Sequence, residues 1–186
     1  MTFRIVGGQF RGRKLQVNLS KNLRPTSHRV REAVFNILQD RICGAQVYDL
    51  FSGTGAIGIE ALSHGAHHVV FVEKHLPTTV DLKKTLDSLN LDRQSTVLAK
   101  DVFTWAQNVS NWPDQPVLVY LDPPYALYHK HVNRMEQLLT TLLASLPKLS
   151  SVIMEHDRHF QPSILPLPED TDLRYYGNTA LTILTT

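Results

Sequence analysis

The stretch from Val47 to Gly58 constrains the fold of this chain more than any other feature. An apolar run leads through Asp49 into a glycine-rich turn, and a helical pattern begins directly afterwards at Ile57. This order predicts a buried strand, a tight loop and a helix N-terminus, which together bring backbone N–H groups close to a ligand. Glycines at positions 53, 55 and 58 are typical of loops for a dinucleotide or S-adenosylmethionine, and also of ligand-free turns. The rest of the chain must distinguish between these three readings.

After residue 46 the pattern alternates between strand-like and helix-like segments. Repeated strand–helix units predict a parallel sheet that is covered by helices on both faces. We therefore expect an α/β fold with a mostly parallel seven-stranded sheet that closes with an antiparallel hairpin around Gly177 and Asn178. The predicted strands are 47–51, 68–73, 95–99, 117–121, 151–155, 173–176 and 180–184, and the predicted helices are 57–64, 76–91, 103–109 and 132–146.

The N-terminal end has a different pattern and a different charge. Short strand-like runs at 3–6 and 14–17 flank a glycine-rich turn, which predicts a hairpin, and a helix follows from His28 to about Ile42. Residues 1–31 hold eight Lys and Arg and no acid, whereas the remaining residues carry a net charge of −6. A basic end of this kind suits a polyanion, although solvated basic faces are also common. We expect an N-terminal extension over 1–43 and a main domain over 44–186.

The composition limits the cellular compartment and the kinds of site that we expect for the protein. A single cysteine in 186 residues excludes an intramolecular disulfide, and no apolar run approaches the roughly 20 residues that span a bilayer. The N-terminus lacks the apolar core of a signal peptide. The nine histidines show no ligand spacing with Cys or acids that indicates a metal site. We expect a cytoplasmic protein, a monomer, with no membrane contact and no metal.

Four acidic residues lie in or just after the carboxyl-terminal parts of the predicted parallel strands: Asp49, Glu73, Asp101 and Asp122. Ligands of parallel sheets bind beyond the carboxyl ends of the strands. Four carboxylates at one rim are hard to explain by packing. They indicate a ligand with several hydroxyl, amino or ammonium groups.

The segment Asp122–Tyr125, Asp-Pro-Pro-Tyr, predicts a stiff corner after a buried strand. Proline fixes φ and removes N–H donors, so the local carbonyl groups face outward with little freedom. The corner can accept two hydrogen bonds from an exocyclic amine, at the Asp122 carboxylate and at the Pro123 carbonyl, while Tyr125 stacks on the ring that carries the amine. The alternative is a proline-rich turn without function.

These segments resemble the bacterial RsmD family. Asp122–Tyr125 is similar to the motif of amino-directed, S-adenosylmethionine-dependent methyltransferases, and Asp49–Gly55 is similar to their cofactor loop. Residues 4–15, 24–38, 56–62 and 179–184 extend the resemblance over nearly the whole chain. The resemblance implies a Rossmann-like class I methyltransferase fold. It also implies methylation of the N2 amine of a guanine in 16S ribosomal RNA of the small ribosomal subunit.

The resemblance further implies roles for individual residues. The catalytic corner would consist of Asp122, Pro123, Pro124 and Tyr125. S-adenosylmethionine would be held by Arg24, Thr26, Asp49, Phe51, Ser52, Gly53, Thr54, Gly55, Glu73, Lys74, Asp101, Val102 and Asp122. RNA would be bound by Arg4, Arg11, Arg13 and Lys14. For Asp101, capping of the following helix at Phe103 is an alternative role.

Other functions fit parts of the pattern. An adenine-N6 or protein-glutamine methyltransferase would use the same corner. An NAD-dependent dehydrogenase would use the glycine loop and Glu73, but it leaves Asp122–Tyr125 unexplained. A non-catalytic RNA-binding factor for ribosome assembly would need none of the intact cofactor residues.

Overall fold

The computed structural model describes residues 2–16, 26–109 and 112–186. Its strands are β1 (Thr2–Arg4), β2 (Lys14–Gln16), β3 (Gln46–Leu50), β4 (His68–Val72), β5 (Ser95–Leu98), β6 (Val117–Leu121), β7 (Ser151–Asp157), β8 (Asp172–Tyr176) and β9 (Thr179–Thr185). Its helices are α1 (His28–Leu38), α2 (Ala56–Ser63), α3 (Leu76–Ser88), α4 (Val102–Asn108), α5 (Tyr125–Lys130) and α6 (Val132–Ser145). Short 3-10 turns lie at Asp92–Gln94 and Pro162–Ile164.

Seven strands form one sheet in the order β5-β4-β3-β6-β7-β9-β8. Strands β3 to β7 pair in parallel, and β9 is antiparallel to both β7 and β8. The predicted mostly parallel sheet with an antiparallel C-terminal hairpin is therefore confirmed. The chain moves outward from β3 to β5 and then returns to β6, so the strand order reverses between β3 and β6. A crevice for a ligand is expected at the carboxyl ends of these two strands.

The central strands are apolar because helices cover both of their faces. All five residues of β6 are buried, whereas four of the five residues of the edge strand β8 are exposed. One hydrophobic cluster contains Val34 of α1, Ile59 of α2 and Leu82 of α3. The cluster that contains Met135 and Leu139 of α6 lies on the other face. Two packed layers of this kind hold the strand ends in fixed relative positions.

The N-terminal residues form the predicted hairpin, in which Phe3 of β1 lies opposite Leu15 of β2. Both side chains are buried in the same hydrophobic cluster as α1 and α2. The division at residue 43 into an RNA-contacting extension and a catalytic domain remains a prediction about roles.

A buried polar junction joins the N-terminal residues to α2. Glu60 is fully buried, and its carboxylate accepts hydrogen bonds from the backbone N–H groups of Val6 (2.9 and 3.1 Å) and Gly7 (2.7 Å). Arg31 is also buried, and its Nε lies 3.9 Å from Glu60 Oε2. Arg31 is one of the eight basic residues of the N-terminal end, but its burial removes it from any surface that could attract a polyanion.

Several boundaries differ from the predicted ones. Helix α3 ends at Ser88 rather than at residue 91, and Asn90, two residues later, adopts a left-handed conformation (φ 56°). The strand predicted at 151–155 continues to Asp157. Helix α5 was not predicted, because its six residues follow two prolines and are too few to show a helical period.

Within the three described ranges, no helix is long and apolar enough to cross a bilayer. The same residues include no cluster of three or more His, Cys, Asp or Glu side chains that could hold a metal ion.

Gly58 provides a test of the packing of α2 on the sheet. A Cβ at this position would lie 2.1 Å from Phe71 Cε1 and 2.8 Å from Val69 Cγ1, and both side chains are fully buried. Alanine favours a helix over glycine by about 1 kcal/mol, but overpacking a core costs about 1–3 kcal/mol. We expect Gly58→Ala to lower the free energy of unfolding in urea.

The matched control is the same substitution in a Phe71→Leu background, where the smaller side chain leaves room for the new methyl group. Gly58→Ala should cost less in that background. An equal cost in both backgrounds would contradict the close packing of Gly58 on Phe71.

Candidate active site

The loop between β3 and α2 turns sharply through left-handed backbone conformations. Phe51, Gly53 and Gly55 have φ values of 62°, 51° and 76°. A positive φ is costly for a bulky residue such as Phe51, and strained backbone of this kind is concentrated at ligand sites. Ser52 Oγ is buried and has no hydrogen-bond partner among the described residues. Thr54 is buried in the same loop.

Asp49 connects the end of β3 to the first turn of α2. Its carboxyl group is buried, and Oδ2 accepts a hydrogen bond from the Gly58 N–H at 2.9 Å. Burial, with a smaller contribution from the nearby Glu73, raises the pKa of Asp49 to about 8, although the bond from Gly58 opposes this shift. Such a group would be stabilised in its charged form by a neighbouring cation.

Glu73 holds the glycine loop against the end of β4. Its Oε2 accepts a hydrogen bond from the Gly53 N–H at 3.1 Å, and its Oε1 accepts one from the His75 N–H at 2.7 Å. Each carboxylate oxygen has a second lone pair, so Glu73 retains the capacity to accept hydrogen bonds from hydroxyl groups of a ligand. Lys74 follows it and is exposed.

Asp101 caps helix α4, as the alternative interpretation of the sequence proposed. Its Oδ1 accepts hydrogen bonds from the backbone N–H groups of Phe103 (3.1 Å) and Thr104 (3.3 Å). Val102 is the first residue of the helix, and its side chain is buried. A capping role does not exclude a ligand contact, because a carboxylate has about four acceptor positions.

Arg134 of α6, which the sequence interpretation did not include, covers this part of the site. Its Nη2 lies 3.8 Å from Asp101 Oδ1, and its guanidinium lies 3.9 Å from the centre of the Phe103 ring. Phe103 in turn contacts Phe51 edge to face at 5.7 Å. The aromatic pair joins the glycine loop to the start of α4.

The corner after β6 lies directly beside the glycine loop. The Asp122 N–H donates a hydrogen bond to the Leu50 carbonyl at 3.3 Å, which ties the corner to the end of β3. Pro123 is buried and Pro124 is exposed, and Tyr125 begins α5. The Tyr125 hydroxyl lies 3.3 Å from Thr179 Oγ1 at the start of β9. The corner is therefore held by its neighbours on both sides.

Thr26 reaches the corner from the N-terminal side, where its hydroxyl donates a hydrogen bond to Asp122 Oδ2 at 3.1 Å. Arg24, which was predicted to bind the cofactor, lies outside the described residues. Asp49 lies near the end of β3, and the other predicted catalytic and cofactor residues lie on the segments that follow β3, β4, β5 and β6, at the same edge of the sheet.

The arginine-rich turn of the hairpin packs against the C-terminal ends of α2 and α3, away from the corner. The Gln9 N–H donates to the Ser63 carbonyl at 2.7 Å, and Arg13 Nη2 donates to the Ser88 carbonyl at 3.4 Å. Ser63 and Ser88 end α2 and α3, and both helices begin at the edge that carries the acids. Arg4, Arg11, Arg13 and Lys14 are all exposed. The turn is therefore separated from the corner by about the length of α2, roughly 12 Å.

A second group of buried polar side chains lies beneath the corner. The Tyr120 hydroxyl donates to Glu155 Oε2 at 2.5 Å, and the Tyr128 hydroxyl donates to the Glu155 carbonyl at 3.1 Å. Burial raises the pKa of both tyrosine hydroxyls well above the usual range. The acidic ending of the apolar strand β7 was the available signal for this group, which supports α5 from below.

Comparisons with known proteins agree with this architecture. A family model described as conserved hypothetical protein 95 matches residues 3–185. Ribosomal RNA small subunit methyltransferase D of Haemophilus influenzae is 39% identical over 140 residues, which cover 75% of this chain and 69% of that protein. The solved structure of the yhhF protein of Escherichia coli has a TM-score of 0.80 at 29% identity, covering 98% of this chain and 97% of that one.

A more distant structure shows the fold alone. The RNA methyltransferase of Salinibacter ruber, solved with S-adenosyl-L-homocysteine, has a TM-score of 0.62 at 20% identity, covering 87% of this chain and 93% of that one. The fold is that of a class I methyltransferase, as the sequence predicted. With the match to nearly the whole chain, the family predicted from the motifs is confirmed: this chain belongs to the RsmD family, whose model is described as conserved hypothetical protein 95.

Proposed function

We propose that the protein transfers a methyl group from S-adenosylmethionine to the exocyclic N2 amine of a guanine in 16S ribosomal RNA of the small ribosomal subunit. The observation that carries this proposal is the hydrogen bond between the Asp122 N–H and the Leu50 carbonyl, 3.3 Å long, which fixes an amine-accepting corner beside a glycine loop. The Haemophilus influenzae relative, named as a methyltransferase of small-subunit ribosomal RNA, supports the choice of substrate.

The residues of the loop fit the cofactor. Ser52 Oγ is buried without a partner among the described residues and suits a polar group of a ligand. Asp49, whose pKa is raised to about 8, would gain a stable charge beside the ammonium group of the cofactor. Glu73 would accept hydrogen bonds from the ribose hydroxyls. Asp101 and the Val102 N–H would recognise the adenine.

The corner supplies the chemistry that the protein itself contributes. When bound, S-adenosylmethionine supplies an electrophilic methyl group. The lone pair of a guanine N2 amine is delocalised into the ring, so the amine is a poor nucleophile. Hydrogen bonds to the Asp122 carboxylate and the Pro123 carbonyl would orient the amine and localise its lone pair. Asp122 would stabilise the positive charge that develops on nitrogen, and it or water would accept the proton that the nitrogen loses.

The target guanine has to leave its stack to reach the corner, and Tyr125 would hold the base by stacking. The arginine-rich turn, about 12 Å away along α2, would contact the phosphates of flanking nucleotides rather than the target base. The protein would therefore recognise a structured piece of RNA.

Label transfer tests the reaction directly. The protein is incubated with methyl-labelled S-adenosylmethionine and, separately, with free 16S ribosomal RNA, small ribosomal subunits from a strain that lacks the activity, DNA and a protein extract. We expect label in RNA, at guanine N2 after nucleoside digestion. Intact cofactor binding without label in either RNA substrate would overturn the proposal, and label in DNA or protein would identify the alternative substrate.

Asp122→Ala should reduce transfer by at least about a thousandfold, because the amine loses its acceptor and its charge stabilisation. The dissociation constant for S-adenosylhomocysteine, measured by calorimetry, should change little. Asp114→Ala, at an exposed aspartate on a loop, is the matched control and should retain activity. Loss of cofactor binding in Asp122→Ala would instead assign Asp122 a structural role.

Removal of charge from the hairpin should weaken RNA binding. In a variant with Arg11→Gln, Arg13→Gln and Lys14→Gln, the slope of log K against log salt should fall by about 2–3, because three phosphate contacts are lost. The control carries Lys83→Gln, Lys148→Gln and Arg174→Gln, which removes three exposed charges from other elements. Equal losses in both variants would contradict a contact at the hairpin.

The buried carboxyl of Asp49 makes cofactor binding dependent on pH. With a pKa of about 8, Asp49 is protonated in the free protein at pH 6 and 7. A bound ammonium group lowers this pKa, so binding releases a proton and the affinity rises with pH, by up to tenfold per unit below pH 8. Above that pH the ligand amine, with an ordinary pKa of about 8, begins to lose its charge.

Calorimetry with S-adenosylhomocysteine at pH 6 and 7, in buffers of different ionisation enthalpy, measures the affinity and the released protons. Asp49→Asn keeps an acceptor for the Gly58 N–H but should abolish both the pH dependence and the proton release. A wild-type affinity that is the same at both pH values would show that Asp49 does not face the ammonium group.

A further inference from the structure

Thr26 contacts the catalytic corner directly. Its hydroxyl donates a hydrogen bond to Asp122 Oδ2 at 3.1 Å, across 96 positions of sequence, and the residue is buried. A hydroxyl hydrogen can be donated to one acceptor at a time. In this geometry the donor capacity of Thr26 is therefore used on Asp122 rather than on a cofactor.

The backbone of Thr26 is held by Arg31. One terminal nitrogen of this buried guanidinium, Nη1, donates to the Thr26 carbonyl at 2.7 Å, and the other, Nη2, donates to the Arg4 carbonyl at 3.1 Å. Guanidinium is planar and presents its donors in a fixed fork, so the two carbonyl groups are held in one geometry. The bonds join the end of β1 to the residue that contacts Asp122.

Glu60 fixes the position of the guanidinium in turn. Its carboxylate lies 3.9 Å from Arg31 Nε and is anchored by the backbone N–H groups of Val6 and Gly7. The Arg31 side chain also lies over the Phe3 ring, with its guanidinium carbon Cζ 5.3 Å from the ring centre. A continuous chain of contacts therefore runs from α2 through Arg31 and Thr26 to Asp122.

We propose that Thr26 is a positioning residue for Asp122, and that Arg31 holds Thr26 in place from the N-terminal hairpin. The Thr26 hydroxyl fixes the orientation of the Asp122 carboxylate for the substrate amine. The catalytic geometry then depends on the correct seating of the hairpin base. This inference rests on the proposed function for its kinetic consequence, whereas the orientation of Asp122 is measurable without activity.

The test compares Thr26→Val, which removes the hydroxyl but keeps the shape, with Thr26→Ser, which keeps the hydroxyl. Loss of a hydrogen bond to a charged group should lower kcat by about 10-fold to 100-fold in Thr26→Val. Thr26→Ser should stay within about threefold of the wild type. The dissociation constant for S-adenosylhomocysteine should change by less than about threefold in both. A large rise of that constant in Thr26→Val with kcat unchanged would overturn the proposal in favour of a cofactor contact.

A second readout does not depend on turnover. In protein labelled with ¹³C-aspartate, the carboxyl resonance of Asp122, assigned with Asp122→Asn, should move in Thr26→Val and stay in place in Thr26→Ser. Equal spectra in all three proteins would overturn the positioning role. If the wild type transfers no methyl group to RNA while this resonance moves as expected, the proposed function fails and the positioning of Asp122 stands.

The role of Arg31 is tested with Arg31→Lys, which keeps the charge but not the fork, and with Arg29→Lys as an exposed neighbour on the same helix. Arg31→Lys should lower kcat and Arg29→Lys should not. Since Arg31 is proposed to act through Thr26, the double variant with Thr26→Val should be no slower than Thr26→Val alone. If the losses of kcat in Arg31→Lys and Thr26→Val multiply in the double variant, Arg31 does not act through Thr26 and the proposal is overturned. Thermal unfolding of Arg31→Met shows whether removal of the guanidinium unfolds the protein or only releases Thr26.

Discussion

The hydrogen bond from the Gly58 N–H to the buried Asp49 carboxyl determines where the glycine loop lies. It ties the end of strand β3 to the first turn of α2, and the intervening loop has left-handed conformations at Phe51, Gly53 and Gly55. Glu73 then binds the Gly53 N–H from the neighbouring strand. Two acids on adjacent strands thus shape one backbone loop. Both carboxylates therefore have a structural role, and in the proposed function they would also contact the cofactor.

The N-terminal residues depend on a second buried acid. An ion pair buried as deeply as Arg31 and Glu60 contributes little to stability by itself, since desolvation of both charges opposes their attraction. Burial in fact raises the pKa of Glu60 despite its partners. The value of the arrangement lies in its hydrogen bonds: Glu60 satisfies the N–H groups of Val6 and Gly7, and Arg31 satisfies two carbonyl groups. These bonds give a hairpin of two three-residue strands one defined position on the domain.

The sequence was informative wherever a property of the fold depends on local chemistry. The continuous apolar run of β6 indicated a strand with both faces covered. The acids near the carboxyl ends of β3 to β6 predicted the ligand edge, because the carboxyl ends of parallel strands meet there. The stiff corner followed from two prolines. Features that depend on distant contacts were not accessible: Glu60 meets Val6 across 54 positions, and Arg134 reaches Asp101 from α6. The short helix α5 was not predicted, because six residues are too few to show the helical repeat of apolar side chains.

The position of the hairpin places its basic residues away from the proposed catalytic corner. The sequence assigned RNA binding to Arg4, Arg11, Arg13 and Lys14, and the turn of this hairpin packs on the ends of α2 and α3 that lie away from the acids. Thr26 contacts the corner through its hydrogen bond to Asp122. An RNA that contacts both the turn and the corner has to span about 12 Å, the length of α2. A mononucleotide cannot do this, whereas a folded RNA with one base displaced from its stack can, so the separation itself favours a structured substrate over a single base.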